Sequence, residues 1–569
     1  MPPRPRTVPC ELVPERCATP SEMGTGTDGL SENWATLWEA FADTQPDHVA
    51  VIVGETSLTW AYFDRQAAKL ATALADRGVG QATRIAQLMY NCPEYMESAY
   101  AAFKLRATPV NVNYRYKAPE IAYICGNAGA EVLVFHGSLG ERVAEAVSSM
   151  PTVRVLLQVD DGAPLVEGAE WYHEVVAAAE PAERIERSGE DALMLYTGGT
   201  TGNPKGVVWR HVDLFGALAF TSYASAGIEV PTSVDAVGRI AAELQQSGNS
   251  PVMLCGPPLM HGTALFLAIG AFVMGGTVVL LGGRSFDADE MLDLMQRHSV
   301  TQLSLVGDAF ARPLNEALEV AQKAGAIPDL SALQRIVSTG ATLSAEEKRG
   351  LQRGAPNAMI FDMIGASEGG PFALSMTLPG QEPPETAIFT APPNVITIDP
   401  DTGSALPRGS AKPGMLGASG PMPRGYWNDE EKTNDTFRTV DGVRYTVPGD
   451  FALIAEDGTV TLLGRGSMCI NSGGEKIYPE EVEVAARKHP TVVDCNAVGV
   501  PHERFGETVV LVCSVSAPTD ADDIISTVKE SIADYKAPRR VVFVEEVYRA
   551  PNGKSDYRWA KETAVAEPA

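Results

Sequence analysis

The sequence has few basic residues for its length. It carries 45 Lys and Arg against 72 Asp and Glu, which gives a formal net charge of −27. Duplex nucleic acid and anionic lipid surfaces are both bound through basic protein surfaces, so this deficit argues against either as a general partner. An anionic substrate must therefore be held by local hydrogen-bond donors and a metal ion.

Cysteine patterns and long apolar runs are also missing. The eight cysteines, at positions 10, 17, 92, 125, 255, 469, 495 and 513, form no CxxC pair and no metal-ligand cluster. No window approaches the run of about 18 apolar residues that a transmembrane helix needs. The first 28 residues are rich in Pro, Gly and Thr and contain no apolar signal-peptide core. We therefore expect a cytoplasmic protein with reduced, mostly buried thiols and a disordered leader over 1–28.

Short apolar strands alternate with helical patterns through most of the chain. His48–Val53 predicts a strand, and Thr59 predicts the N-cap of the helix that follows. Arg84–Met89, Cys92–Leu105 and Thr108–Asn111 predict a β-α-β unit. Helices between continuously apolar strands indicate parallel sheets covered on both faces, hence an α/β fold, and 569 residues predict two or more domains. Further strands are predicted at 131–135, 153–159, 251–256, 277–281, 300–306, 334–339 and 359–363, and a further helix at 287–298.

The segment 222–250, SYASAGIEVPTSVDAVGRIAAELQQSGNS, interrupts this alternation. It is a polar insertion of mixed helix and loop. Two interpretations stay open at this point: a lid over a binding site, or an excursion on the surface.

The densest functional signal is the stretch Tyr196–Val207, YTGGTTGNPKGV. Its glycines allow backbone N–H groups to wrap an anion, while the threonine hydroxyls and Lys205 add donors and charge. The stretch is not a Walker A loop, because Pro204 stands where a glycine should precede the lysine. The pattern favours a phosphate cradle, and the alternative is a flexible surface turn.

Three further segments place polar residues at glycine turns. Phe361–Glu368, FDMIGASE, ends in a Ser-Glu pair, a hydroxyl next to a carboxylate. Val443–Asp450, VRYTVPGD, ends in a carboxylate that can accept two hydroxyl donors. Arg549–Lys554, RAPNGK, puts a lysine in an Asn-Gly turn. Each segment alone would more often be an ordinary surface feature: an exposed cap, a Pro-Gly-Asp turn and a solvated lysine, respectively.

Together with Leu462–Glu483, LLGRGSMCINSGGEKIYPEEVE, these segments resemble the adenylate-forming superfamily of acyl-CoA synthetases, peptide-synthetase adenylation domains and luciferases. Five motifs follow that superfamily's order between about residues 30 and 560. The resemblance implies a large N-terminal domain over 29–465, made of α/β subdomains with parallel-rich sheets plus a β-barrel-like part. It also implies a small mobile α+β C-terminal lid domain over 466–569.

The resemblance implies two half-reactions in one site. A carboxylate first attacks the α-phosphorus of Mg·ATP, and the thiol of CoA then displaces AMP from the acyl-adenylate. ATP, Mg²⁺, CoA and a carboxylic acid are therefore the implied small molecules; a nucleic-acid partner is not expected, and a homodimer is allowed. A mobile ammonium stabilises charge that grows as oxygen attacks phosphorus, and the resemblance gives this role to Lys554. It gives the hinge between the domains to Ser467.

The resemblance also implies a role for each matching residue. ATP and AMP binding is implied for Thr197, Gly198, Gly199, Thr200, Thr201, Gly202, Lys205, Gly340, Ala341, Ile364, Gly365, Ser367, Glu368, Asp450, Arg465 and Lys554. CoA binding is implied for Ser472, Gly473, Gly474 and Lys476, the acyl pocket for His261, Val306, Gly307, Asp308 and Gly340, metal binding for Thr197 and Glu368, and catalysis for Lys554, Glu368, Thr197 and His261. Binding is favoured over base catalysis for His261, because an acid substrate is already ionised at neutral pH. The chain departs from the family at Ile364, where relatives usually carry an aromatic that stacks on adenine.

Several blocks, among them YTGGTTGNPKGVVWRH and GRGSMCINSGGEKIYPEEVE, are most similar to bacterial steroid side-chain CoA ligases and related enzymes of lipid metabolism. The candidate pocket walls, 306–309, 338–341 and 266–272, contain small residues and no basic residue to pair a second carboxylate. We therefore expect a bulky or long apolar monocarboxylic acid: a sterol side-chain acid, an aryl-alkanoic acid or a fatty acid. The alternatives are a general medium- and long-chain fatty acyl-CoA synthetase and, from another class, a nucleotide-binding regulator that does no chemistry.

Overall fold

The computed structural model describes residues 30, 32–197, 203–341, 343–384, 387–465, 470–477, 479–548 and 557–566. Within them the α-helices are α1 (Trp34–Thr44), α2 (Trp60–Asp76), α3 (Pro93–Lys104), α4 (Ala118–Ala128), α5 (Gly140–Ala146), α6 (Tyr172–Ala178), α7 (His211–Ser225), α8 (Val234–Gln246), α9 (Gly262–Phe272), α10 (Ala288–Arg297), α11 (Gly307–Lys323), α12 (Ala345–Gly354), α13 (Glu430–Thr436), α14 (Pro479–Ala486), α15 (Ala521–Ser531) and α16 (Tyr557–Ala566).

The strands of the same residues are β1 (Val49–Val53), β2 (Thr56–Thr59), β3 (Arg84–Leu88), β4 (Thr108–Asn111), β5 (Ala130–His136), β6 (Val155–Val159), β7 (Glu170–Trp171), β8 (Ala192–Thr197), β9 (Lys205–Arg210), β10 (Val252–Cys255), β11 (Thr277–Leu280), β12 (Gln302–Leu305), β13 (Arg335–Thr339), β14 (Met359–Ala366), β15 (Gly369–Thr377), β16 (Phe389–Thr390), β17 (Val395–Ile398), β18 (Ala405–Leu406), β19 (Gly414–Ala418), β20 (Gly425–Tyr426), β21 (Phe437–Val440), β22 (Val443–Thr446), β23 (Asp450–Ile454), β24 (Thr459–Arg465), β25 (Ile470–Ser472), β26 (Glu475–Ile477), β27 (Val492–His502), β28 (Gly506–Val515) and β29 (Arg540–Phe543). Every strand and helix predicted from the sequence has a counterpart among these elements.

The largest sheet begins parallel and continues antiparallel. Its order is β18-β17-β19-β23-β24-β16-β15-β14-β13-β12-β10-β11-β1-β2, with β21 and β22 attached beside β19. Strands β1 and β10 to β14 run parallel, and alternate residues point to opposite faces. On one face Ile336 and Ile360 pack with residues of α10 to α12, and on the other Cys255 and Val278 pack with α1, α2 and α9. Burial on both faces is the reason these strands are continuously apolar.

The second sheet carries the ends of the candidate phosphate loop. Its order is β20-β9-β8-β4-β3-β5-β6-β7, and β3, α3 and β4 form the predicted β-α-β unit. The apolar β8 pairs antiparallel with β9, with Thr197 opposite Lys205. Residues 198–202, between these two strands, lie outside the described residues.

The third sheet takes its strands from residue 470 onward. Its order is β26-β25-β28-β27, with β29 beside β28; α14 and α15 pack on one face and α16 on the other. The β25–β26 hairpin pairs Ser472 with Glu475, and the two residues between them, Gly473 and Gly474, have φ of +60° and +84°. A two-residue hairpin turn with positive φ at both positions requires glycine-like freedom, which explains the Gly-Gly sequence.

Local sequence signals account for several element ends. The Thr59 side chain accepts a hydrogen bond from the Tyr62 N–H and caps α2, as predicted. The described cysteines, at positions 92, 125, 255, 495 and 513, are buried and free of disulfides, in line with the expectation of mostly buried thiols. No helix of the described residues is long and apolar enough to cross a membrane.

The helical part of the insertion 222–250 is α8, and it lies on α1. A Cβ placed on Gly238 would be 3.0 Å from Thr44 Cγ2, and Ile240 and Ala241 share the buried core with Phe41. The apolar face of α8 is therefore used to cover α1. The structure favours the surface interpretation over the lid interpretation for this helix.

Candidate active site

The ends of the candidate phosphate loop carry a threonine and a paired lysine. Thr197 is the last residue of β8, and Lys205 faces it as the first residue of β9. Lys205 Nζ lies 2.5 Å from Asp429 Oδ2, at the start of α13. Burial raises the pKa of Asp429, but the hydrogen bond and charge of Lys205 outweigh it and hold this pKa below its usual range. Phosphate oxygens bound here would compete with Asp429 for the Lys205 ammonium.

The Ser-Glu pair predicted for the α-phosphate and metal lies between the two large sheets. Glu368 is buried, and its Oε1 accepts a 2.6 Å hydrogen bond from the Tyr426 hydroxyl. The Trp209 indole donates to the Ser367 carbonyl at 2.9 Å. A Cβ on Gly262, the first residue of α9, would lie 3.3 Å from Ser367 Oγ. The structure thus brings the end of β14, β9 and the start of α9 to one place.

The residues predicted to contact the nucleoside lie at strand ends of the largest sheet. Asp450 and Arg465 are direct partners across β23 and β24. The partly buried Ile364 packs against the apolar core formed by the antiparallel strands, at the position where an adenine ring is expected. Gly340, with φ of +89°, follows the carboxyl end of β13. The other described residues of this predicted set, Ala341 and Gly365, lie at the same edge.

His261 is part of a three-residue contact that crosses between distant parts of the chain. Its Nε2 lies 3.0 Å from Glu475 Oε1, and Arg115 Nη1 lies 3.0 Å from the same oxygen. Glu475 is buried, at 8 % exposed. Burial raises the pKa of this carboxyl, but His261 and Arg115 more than compensate and hold the pKa below its usual value. These contacts connect the β25–β26 hairpin to His261, which immediately precedes α9.

The glycine turn of this hairpin is packed against a predicted acyl-pocket residue. A Cβ on Gly474 would lie 2.6 Å from Val306 Cγ1, closer than side-chain atoms can approach. A Cβ on Gly340 would lie 3.6 Å from the same Val306 atom. Val306 therefore lies between an edge of the largest sheet and the turn of the third sheet, which brings together the residues predicted for the acyl pocket and for CoA.

Two other predicted pocket residues have local partners. The Gly307 N–H donates to Ser338 Oγ at 3.1 Å, which joins the start of α11 to β13. The Asp308 carboxylate accepts from the Ser344 N–H at 2.7 Å. Ser344 caps α12, so the charge of Asp308 is engaged with that helix start.

A second group of contacts joins the C-terminal part of the chain to α4. Lys536 Nζ lies 3.2 Å from Glu120 Oε1 and 2.8 Å from Glu481 Oε2. It also lies 4.7 Å from the centre of the Tyr116 ring. Burial lowers the pKa of Lys536, but these acidic and phenolic neighbours outweigh burial and raise it. This buried ammonium, 3 % exposed, helps to hold the arrangement in which Gly474 meets Val306.

Some predicted site residues fall outside the described residues, and so do two side chains. The residues concerned are Gly198, Gly199, Thr200, Thr201, Gly202, Ser467 and Lys554, together with the side chains of Arg465 and Lys476.

The sequence did not single out several residues that the structure brings into the site. Asn111, at the end of β4, accepts from the Tyr196 N–H at 2.6 Å and donates to the Met260 carbonyl at 2.7 Å, so it ties the phosphate strand to the segment before His261. A polar residue closing an apolar strand is a signal that could have indicated it. Arg115, Tyr426 and Asp429 offer no such signal, because their partners are distant in sequence; Arg115 and Glu475 are 360 residues apart.

Comparison with known proteins shows which protein family this chain matches. Residues 38–427 match the AMP-binding enzyme family and residues 481–554 match the AMP-binding enzyme C-terminal domain. A Mycobacterium tuberculosis protein named "Medium/long-chain-fatty-acid--CoA/3-oxocholest-4-en-26-oate--CoA ligase" is 40% identical over 543 residues, which cover 94% of this chain and 97% of that protein. A Rhodococcus rhodochrous protein named "3-oxocholest-4-en-26-oate--CoA ligase" is 37% identical, with 95% and 97% covered.

Among solved structures, the amide bond synthetase McbA from Marinactinospora thermotolerans aligns with a TM-score of 0.75 and 25% identity, over 93% of this chain and 99% of that one. The family match covers more than half of the chain. The fold and the clustering of the predicted nucleotide and acyl residues are consistent with that match. The chain belongs to the AMP-binding, adenylate-forming enzyme family.

Proposed function

We propose that this protein is an ATP-dependent acyl-CoA ligase. It converts a carboxylate, ATP and CoA into acyl-CoA, AMP and pyrophosphate through an acyl-adenylate. The substrate class is a bulky or long apolar monocarboxylic acid, such as a sterol side-chain acid or a medium- to long-chain fatty acid. The names of the relatives at 37% and 40% identity support this class. A cytoplasmic location and a homodimer are further parts of the proposal.

The observation that carries the proposal is the contact of the Gly473–Gly474 turn with Val306, together with the bond between Glu475 and His261. A thiol that attacks an acyl-adenylate must reach the carbonyl carbon beside the acyl pocket. A turn without side chains leaves room for a narrow pantetheine arm at that point. This arrangement therefore fits the thioester-forming half-reaction.

The first half-reaction needs a different arrangement of the same C-terminal part. Lys554, which the resemblance assigns to adenylation, belongs to that part, as does the Gly473–Gly474 turn. One of the two must leave when the other is used, so a rotation at a hinge near Ser467 follows. Breaking the Glu475 and Lys536 contacts is part of that rotation.

Different described residues bind different parts of the nucleotide. Thr197 and Lys205, at the two ends of the phosphate loop, bind the β- and γ-phosphates, and Ser367 binds the α-phosphate. Asp450 accepts the ribose hydroxyls. Glu368 and Thr197 would hold Mg²⁺, and the ion would neutralise phosphate charge. The fit is chemically sound because Glu368 is a buried carboxylate with Oε1 bound to Tyr426, which fixes its orientation and leaves a second oxygen as an acceptor.

The test is AMP release with ATP, Mg²⁺ and CoA against octanoate, palmitate, a phenylpropanoate and a sterol side-chain acid. Release that depends on both an acid and CoA supports the ligase. A preference of more than tenfold in kcat/KM, about 1.4 kcal/mol, identifies the acid class. Nucleotide binding without ATP–pyrophosphate exchange for any acid would refute the ligase and favour a nucleotide-binding regulator.

A further inference from the structure

One face of the largest sheet carries an apolar row that the helices cover only partly. Val337 on β13 and Phe361 and Met363 on β14 point to the side of α9. The preceding residue on each strand, Ile336 or Ile360, packs on the opposite side with α12. Ile360 is 1 % exposed, whereas Phe361 and Met363 are only partly buried. On the face toward α9, Phe361 and Met363 are therefore not fully covered, whereas Val337 is buried.

Helix α7 runs along this surface from the candidate active site to the far end of the strands. Just before its start, the Trp209 indole donates to the Ser367 carbonyl and its ring lies 5.7 Å from the Phe266 ring of α9. At its end, the Ser225 carbonyl accepts from Arg335 Nη2 at 2.9 Å. Gly365 lies six positions after Met359 on β14, a distance of about 20 Å at ~3.3 Å per residue. The partly buried Phe361 and Met363 lie along this stretch of β14, on the face that α7 follows.

The far end of this apolar face is polar. Arg335 opens β13 on the same face as Val337, and Gln302 is its direct partner on β12. Burial lowers the pKa of Arg335, and no described carboxylate forms an ion pair with it. A guanidinium has five N–H donors, and the bond to Ser225 uses one of them. In a chain with 72 acidic residues, a partly buried arginine without a carboxylate partner has donors to spare for a ligand.

We propose that Arg335 is a specificity-determining residue that binds an oxygen at the distal end of the acyl group, with the apolar body of the acid lying between α7 and β13–β14. The occupant is an apolar acid that carries a carbonyl oxygen about 20 Å from its carboxylate. A 3-oxo sterol side-chain acid, with its rigid ring system between the two groups, has this chemistry. The pocket walls chosen from the sequence had no basic residue; Arg335 lies outside them, at the opposite end of the same strands.

This inference rests on the proposed function. It adds the distal carbonyl oxygen of the acid as a group that the enzyme recognises. A buried donor that is left without its acceptor disfavours the substrate that lacks the acceptor. The enzyme should therefore prefer the oxo acid over the same acid without the oxo group, and a fatty acid should not depend on Arg335 at all.

The experiment compares kcat/KM for a 3-oxo sterol side-chain acid, the matched acid without the 3-oxo group, and palmitate. Three proteins are measured: the unaltered chain, Arg335→Met, which keeps an unbranched side chain without donors, and Arg353→Met, which removes an exposed arginine on α12 across the sheet. We expect the unaltered protein and Arg353→Met to prefer the oxo acid by about tenfold or more. Arg335→Met should lose that preference and keep its activity with palmitate.

Three results would overturn the inference. They are an unaltered protein without preference between the matched sterol acids, an Arg335→Met protein that retains the preference, and an Arg335→Met protein that loses activity equally with all three acids, which would indicate a structural role. In each of these cases the ligase reaction itself is still observed. If the unaltered protein activates no acid in the presence of ATP and CoA, the proposed function fails instead, and the inference fails with it.

Discussion

Replacing Gly474 with alanine tests whether the contact with Val306 belongs to the thioester-forming step. The new Cβ would lie 2.6 Å from Val306 Cγ1, and the residue would keep a φ of +84°. The left-handed backbone costs a non-glycine residue about 1–2 kcal/mol, and overpacking of this kind adds about 1–3 kcal/mol. Both effects destabilise the arrangement in which the turn contacts the acyl pocket.

Gly473 provides a matched control in the same turn. Its φ is +60°, so Gly473→Ala carries a similar backbone cost, but its Cβ would lie 3.2 Å from Phe505 Cδ1, within the third sheet. The difference between the two variants therefore reports the overlap with Val306, about 1–3 kcal/mol, or roughly 5- to 150-fold in rate. Val306→Ala removes Cγ1, the atom that the new Cβ would meet. Adding Gly474→Ala to a Val306→Ala protein should therefore slow thioester formation much less than adding it to the unaltered protein.

The assay separates the two half-reactions. ATP–pyrophosphate exchange measures adenylation, and single-turnover reaction of a supplied acyl-adenylate with CoA measures thioester formation. We expect Gly474→Ala to slow thioester formation more than Gly473→Ala does, with exchange little changed. Equal losses in both half-reactions, or no rescue by Val306→Ala, would refute the reasoning.

Three further predictions concern single charges. Glu475→Gln removes the charge that binds His261, and thioester formation should fall about tenfold or more while exchange is kept, because a hydrogen bond to a charged group contributes ~1.5–3 kcal/mol; unchanged CoA transfer would contradict this role. Lys554→Ala should abolish exchange and largely spare reaction of a supplied acyl-adenylate with CoA; an equal loss of both would count against the division of labour. Burial raises the pKa of Glu97 to about 8, so this buried carboxyl, bound by the Tyr172 hydroxyl, stabilises the fold below about pH 4.5 and progressively less as pH rises through 8. Glu97→Gln should therefore flatten the decline of the unfolding midpoint between about pH 4.5 and 8, and a midpoint with the same pH dependence in both proteins would exclude this assignment.

Many helices and strands of the fold could be predicted from the sequence, because the sequence patterns that indicate them are local. Apolar runs predicted several strands in each of the two large sheets, and Thr59 predicted a helix start. The candidate phosphate loop could be predicted for the same reason, since a dense run of glycines and threonines is a property of consecutive residues. Composition and periodicity were sufficient for these features because neighbouring residues along the chain create them.

The tertiary structure decided which distant groups share an environment. Only the packing of the third sheet against the other two brings Glu475 to His261 and Arg115, across 214 and 360 residues. Only the strand register separates the partly covered apolar face from the face that packs on α12, and only the bond from Arg335 to Ser225, at the end of α7, shows that this arginine lies beside that face. Local sequence signals carry no information about such contacts, because their energies depend on the distance between groups in space and on how much water is excluded from them.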